Sequence, residues 1–373
     1  MRKVTCSGIL VVDLIAAELP RVSPPGGITF THRDIESHIG GHAANVSADL
    51  MRLGMKPGEV GCLGAVGHDP FADFLERTLT GHRVRVTLQR TDKAGTAVDL
   101  ILVVRGEDRR YHVGVGALSY FDPEFVIEAV RREPPALFYS GGAGLMIKYD
   151  QSLAHVLRQV KKLGCLTFVD PVMPYHKSWL YLKKALRWTD IFHCNDVEAL
   201  SLTEKAGLDA AIEALLASGP KLVLVSRGHK GLIAATPELR LSMGAFRVKT
   251  LDPTGAGDAF CAGFIRRVVS KLPAVPKAGG WHGASPCPPE ATGTPLLTGE
   301  ARGRTGTPHD RTRSRLDWSA DELTDALLEA EASGAACVTG IGTTTAVCRD
   351  KVDELMAAQQ AAVQKTIKTE TVR

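Results

Sequence analysis

Short apolar runs alternate with helix-forming stretches along most of this chain, and that rhythm limits the folds open to it. Strand-like runs stand at Val4–Val12, Val60–Val66, Ala136–Tyr139, Leu166–Val169, Ile191–Cys194, Leu222–Ser226 and Leu232–Ala235. Helical stretches fall around 43–53, 70–80, 122–132, 151–163, 178–187, 197–204 and 208–217. Strands that are apolar throughout must be covered on both faces, and the intervening helices supply that cover. The pattern therefore predicts an α/β fold on a mostly parallel sheet. Ligands of such sheets bind at the carboxyl ends of the strands, where Asp13, Asp170, Asn195 and Gly228 follow strand candidates.

Three segments depart from the rhythm. Leu19–Ile39 holds Pro20 and Pro24-Pro25-Gly26-Gly27, while Val84–Val113 reads as three strands with a hairpin turn at Arg105-Gly106-Glu107-Asp108. Together they predict a small β lid over 14–39 and 84–116, which would keep water from a reacting centre. Pro273–Arg315 carries seven prolines and seven glycines but only Val275, Leu296 and Leu297 as aliphatic residues of any size. A core cannot form from that composition, so 273–316 is expected to be a disordered insertion. The large α/β domain is then made of 1–272 and 317–373.

Composition narrows the class further. The insertion holds six basic and three acidic residues, a formal +3 of the chain's +4, so charge gives no footing for nucleic-acid binding. Eight cysteines are scattered without a C-x-x-C pair, as expected of small core residues in a reducing cytoplasm. The histidines form no zinc motif. Asp13 interrupts the first apolar run, which argues against a secretory leader, and no run approaches the length of a membrane span.

The chemistry is concentrated in Leu251-Asp252-Pro253-Thr254-Gly255-Ala256-Gly257-Asp258-Ala259-Phe260. Gly255, Ala256 and Gly257 let backbone approach a ligand, and the apolar run behind them reads as a helix. A glycine turn entering a helix presents free N–H groups and a positive dipole end, which suits phosphate. Asp258 is a carboxylate at that anion site. Its placement points to phosphoryl transfer onto a hydroxyl, with the acid taking the proton. A plain N-cap would explain the glycine turn alone.

A second run, His38-Ile39-Gly40-Gly41-His42-Ala43-Ala44-Asn45, opens another helix. Asn45 offers both a donor and an acceptor for hydroxyls. With both runs in one chain, the sequence resembles the ribokinase-like, or PfkB, carbohydrate kinases, across about 3–272 and 317–356. The resemblance implies a ribokinase-like three-layer α/β/α fold with a small β lid. It implies an ATP-dependent kinase acting on ribose, fructose, a sugar acid or a cyclitol, with Asp258 as base and Gly255–Gly257 as anion hole. It also implies substrate binding by Asp13, Gly40, Gly41 and Asn45, and nucleotide binding by Asn195, Ser226, Gly228, Thr254, Gly255 and Gly257.

Asn195-Asp196-Val197-Glu198 looks like the family's N-x-x-E motif, which implies that Asn195 and Glu198 organise Mg²⁺ through water, although a capped helix with an acidic first turn has the same sequence. Asp252 and Thr254 stand where many relatives hold a monovalent cation such as K⁺. The lid also leaves a homodimer through it open. The absence of G-x-x-x-x-G-K-[ST] and of G-x-G-x-x-G removes the P-loop and dinucleotide readings. A nucleoside kinase on the same fold remains the alternative, and a sugar-binding regulator without activity the second.

Overall fold

The computed structural model describes residues 3–107, 109–175, 178–272 and 319–371. The Pro/Gly-rich segment 273–316 lies outside them. Ten strands form a central sheet. Its parallel part runs in the order β5 (Arg85–Arg90), β4 (Val60–Val66), β1 (Val4–Gly8), β8 (Leu137–Ala143), β9 (Leu166–Pro171), β10 (Ile191–Asn195) and β11 (Leu222–Ser226). An antiparallel edge follows: β12 (Leu232–Ala235), β13 (Leu239–Met243) and β14 (Lys368–Thr371). Four further strands form a separate sheet in the order β3 (Glu36–Gly40), β2 (Val11–Leu19), β6 (Val98–Val104), β7 (Arg110–Gly114).

Alternation along each strand sends neighbouring residues to opposite cores. Leu137 and Tyr139 face one side with α1 (His42–Arg52), α8 (Ala256–Lys271) and α9 (Ala320–Cys337). Phe138 faces the other with α3 (Pro123–Arg132), α4 (Ile147–Lys162), α6 (Asp196–Thr203) and α7 (Leu208–Ala217). The molecule is thus the three-layer α/β/α arrangement expected.

Three expectations need correction. The run Val4–Val12 is two strands in different sheets, because the chain leaves the central sheet at Ile9-Leu10 and re-pairs with β3 and β6. Asp13 accordingly lies within β2 of the small sheet and not at the end of the first central strand. Of the three strands read in 84–113, the first, β5, joins the central sheet beside β4. Its exposed outer residues suit a sheet edge.

α8 and α9 pack closely because Gly263 carries no side chain: a Cβ there would stand 2.5 Å from Ser333 Oγ and 2.8 Å from the Glu329 carbonyl oxygen. Gly263→Val should therefore destabilise the fold by about 2 kcal/mol, read as a lower urea midpoint. An unchanged midpoint would mean the two helices can part without loss.

Candidate active site

The carboxyl ends of the parallel strands, the small sheet and the start of α8 enclose a cleft of about 590 Å³, the size of a small-ligand site. Sequence order reverses at β1, which lies between β4 and β8, so the loops on either side diverge and leave room there.

Gly255 caps α8 in the left-handed region at φ 79°, and a Cβ would meet the Thr343 carbonyl oxygen at 2.5 Å. Only glycine suits both demands. The N–H groups of Gly255, Gly257 and Asp258 have no protein partner among the described residues, while Ala259 N–H makes the first full turn to Gly255 at 2.9 Å. These are the free donors expected of an anion site. Asp258 is 9% exposed. Its Oδ2 accepts from Asn45 Nδ2 at 2.8 Å, whereas Oδ1 is buried with no hydrogen bond, and the residue lines the cleft. Burial, reinforced by Asp170, holds the Asp258 carboxyl above its ordinary range against the opposing pull of His42 and Asn45.

Asn45 is placed by α1, whose N-cap Gly41 also has positive φ, 87°, beneath Ile9. Thr343 Oγ1 lies 2.9 Å from Asn45 Oδ1 and 2.8 Å from the Ile39 carbonyl, fixing the amide's orientation. Gly40 does not line the cleft. It makes room for Asp13, since a Cβ there would fall 2.3 Å from Asp13 Oδ2. Asn195 and Glu198 form the reciprocal capping box of α6, with Asn195 Oδ1 accepting from Glu198 N and Glu198 Oε2 from Asn195 N. Both line the cleft, and Glu198 Oε1 has no described hydrogen bond. Ser226 and Thr254 line it too; Gly228 turns away into the loop after β11 and Asp252 sits behind Thr254.

Several site residues escaped the sequence reading. His193 stacks on Phe260, with Nδ1 2.9 Å from Asp170 Oδ1 and Nε2 3.2 Å from Ser226 Oγ. Asp170 also accepts from the Tyr139 hydroxyl at 2.8 Å. Burial opposes its charge, but His193, His42 and Tyr139 outweigh that and hold the carboxyl below its usual range. From the small sheet come Asp99, Arg109 and Tyr111. A carboxylate inside the alternating strand Val98–Leu102 was the available signal for Asp99. Arg109 Nη1 pairs with Asp252 Oδ1 at 2.7 Å and also reaches Thr254 Oγ1. Nothing local to the C-terminal loop marked Thr343.

With this geometry in view, known proteins supply the comparison. The model of the pfkB family carbohydrate kinases matches residues 1–276. The chain belongs to that family. It is a carbohydrate kinase, a phosphotransferase with a sugar hydroxyl as acceptor. This kinase is 28% identical over 238 residues to a fructokinase of Solanum tuberosum, spanning 62% of this chain and 71% of the relative. It is 27% identical over 297 residues to 5-dehydro-2-deoxygluconokinase 2 of Bacillus cereus, 74% and 86% of the two chains. Among solved structures, a putative ribokinase II of E. coli in complex with ATP and Mg²⁺ superposes with a TM-score of 0.71 at 20% identity, covering 96% of this chain and 100% of that one. That likeness shows the ribokinase-like fold. No helix among the described residues is long and apolar enough to cross a membrane.

Burial, together with Asp99, Asp258 and Asp252, pushes the Asp13 carboxyl up to about 8. The folded kinase therefore binds this proton more tightly than the unfolded chain. The stability it confers is complete below the ordinary carboxylate value and is lost as pH rises through the folded one. Asp13→Asn has no proton to lose, so it should melt above the parent, by a margin that widens between about pH 4 and about pH 8. A margin flat in pH would show that the Asp13 charge is carried without cost.

Proposed function

We propose that this kinase transfers the γ-phosphate of ATP to a hydroxyl of a small carbohydrate, with Asp258 as general base. The observation that carries the reading is Asp258, a cleft-lining residue whose Oδ1 is a buried acceptor without a partner, beside unpaired N–H groups at the start of α8. A substrate hydroxyl can fill that acceptor position and lose its proton there. Its oxygen then bonds to the γ-phosphorus as the bond to the departing ADP oxygen breaks. The N–H groups of Gly255 and Gly257, with Ala256 between them, meet the charge on the transferring oxygens. Asn45 holds the base by its other oxygen, and Asp13 and Gly41 flank the acceptor. Ser226, Thr254 and Asn195 border the nucleotide side, and Gly228 shapes the turn behind it.

The donor set suits Mg²⁺, a hard cation that keeps most of its waters: Glu198 Oε1 has no described hydrogen bond, and Asn195 lies beside it. Bound there, Mg²⁺ would shield the β- and γ-phosphates. Asp252 does not suit K⁺ in the same way. Its Oδ1 accepts from Thr254 and Arg109 and its Oδ2 from Gly342 N, so a guanidinium takes the cation's part. The Arg109 contact also ties the small sheet to the anion loop, as a lid closing over the cleft would require.

Tyr111 is the only Phe, Tyr or Trp among the described lining residues, so no pair of such rings brackets a base; this favours a sugar over a nucleoside. Retention of both base and glycines favours an enzyme over a regulator. Exposed Ile28, Phe30, Ile35 and Leu100, on the small sheet and its loop, support pairing of two copies there. None of the seven described cysteines is in a disulfide, which suits the cytoplasm.

Asp258→Asn should lower kcat by about 10²–10⁴ while ATP affinity stays within a few-fold, measured by coupled assay and calorimetry. Near-parental turnover would remove Asp258 from the role. Exchanging K⁺ for Na⁺ should change kcat by less than about twofold, and Arg109→Met should create a K⁺ requirement, because Asp252 then needs another cation. A parent enzyme silent without K⁺ would refute the substitution.

A further inference from the structure

We infer that the floor of the cleft holds a three-ligand site for Zn²⁺, formed by His42, Asp170 and Asp258, and that Zn²⁺ bound there keeps the acceptor from Asp258. The site stands apart from the kinase reading above; the block rests on it, because it needs Asp258 as the base. One ligand atom from each of the three residues lies within 4.8 Å of the others, and all three residues line the cleft. They come from the start of α1, the end of β9 and the first turn of α8, so no local motif marks the set. Asp258 Oδ1 is buried without a hydrogen bond, in a residue only 9% exposed. Among the described residues Asp170 Oδ1 meets His193 Nδ1 alone, which leaves it a second lone pair for an ion. A hydrogen bond with the Pro171 backbone orients the His42 ring, the kind of second contact that fixes an imidazole for a metal. β8 makes room for that ring: a Cβ on Gly141 would fall 2.6 Å from His42 Cβ, and one on Gly142 3.1 Å from His42 Nδ1.

An imidazole with two carboxylates suits a borderline transition ion, whereas Mg²⁺ takes oxygen ligands and keeps its waters. Three protein ligands also leave a coordination position for water on the cleft side, the arrangement of an open zinc site. Two metal–ligand bonds of about 2.0–2.2 Å span at most about 4.4 Å, so the ion draws the three groups slightly together. It enters by displacing protons from them, since zinc takes neutral imidazole and ionised carboxylate. Bound there, it occupies the carboxylate that the acceptor hydroxyl needs. Asp170, His193 and Cys261 form a second group of ligand atoms, but these are already spent on one another, His193 Nδ1 on Asp170 Oδ1 and the Cys261 thiol on Oδ2.

The test titrates metal-free, full-length protein with Zn²⁺ by calorimetry and with Co²⁺, its spectroscopic stand-in, by visible absorption, both without nucleotide. One equivalent should bind, giving the bands of four- or five-coordinate Co²⁺ and no thiolate charge-transfer band. His42→Asn and Asp258→Asn should each weaken binding at least about 100-fold, the upper end of what even an indirect partner contributes. His42→Gln takes the place of His42→Asn if the latter loses its cooperative melt. Turnover is followed with ATP, Mg²⁺ and fructose, ribose or myo-inositol, and the Zn²⁺-loaded form should be about 10²-fold slower, as for loss of a general base, and recover when zinc is chelated. No one-to-one binding, a thiolate band, or undiminished affinity in the His42 variant would overturn the site. Equal turnover of loaded and metal-free protein would overturn the block. The expected binding and losses in a protein that turns over none of the three sugars would uphold the site and count against the kinase reading. Turnover by a protein that binds no zinc would do the reverse.

Discussion

The hydrogen bond from Asn45 to Asp258 joins residues 213 positions apart and sets the geometry of everything around it. A buried carboxylate free to rotate would find internal partners. Here one oxygen is held by an amide that Thr343 in turn holds, so the other is left without a partner. Three distant segments are needed to hold one acceptor open. Loss of Asn45 or Thr343 would free the carboxylate to turn, at the cost of an unsatisfied buried group.

A second network lies under the cleft. Asp170 gathers Tyr139, His193 and the Cys261 thiol, and His193 reaches on to Ser226. It lies close enough to His42 and Asp258 that a ligand atom from each of Asp170, His42 and Asp258 falls within 4.8 Å of the others. Carboxyl and imidazole groups thus alternate through this buried region. At the small-sheet end Asp13 faces Asp99, which accepts from His112 N, and the nearby Arg109 already serves Asp252. The cleft thus has free N–H groups at the start of α8 and carboxyl groups at the small-sheet end.

The alternation of apolar runs and helices, read from residues alone, predicted the layered fold, and Gly255-Ala256-Gly257-Asp258 marked the anion turn. Both depend on local physics: strand burial follows from composition, and a left-handed turn before a helix follows from glycine. The same reasoning merged β1 with β2 and put β5 in the wrong sheet, since a run of apolar residues does not reveal which partner it pairs with. It also missed the edge strands β13, whose burial is mixed, and β14, which is exposed throughout, since neither carries a clear apolar pattern.

What the sequence determined by itself, then, was the α/β class, the two glycine turns and the carboxylate proposed as the base. Tertiary structure alone decided that Asp99 stands beside Asp13, that Arg109 satisfies Asp252, and that Thr343 steers Asn45. Each of those is a pairing across strands or loops far apart in the chain. Registry and packing of the whole molecule fix such pairings, and no short-range propensity encodes them.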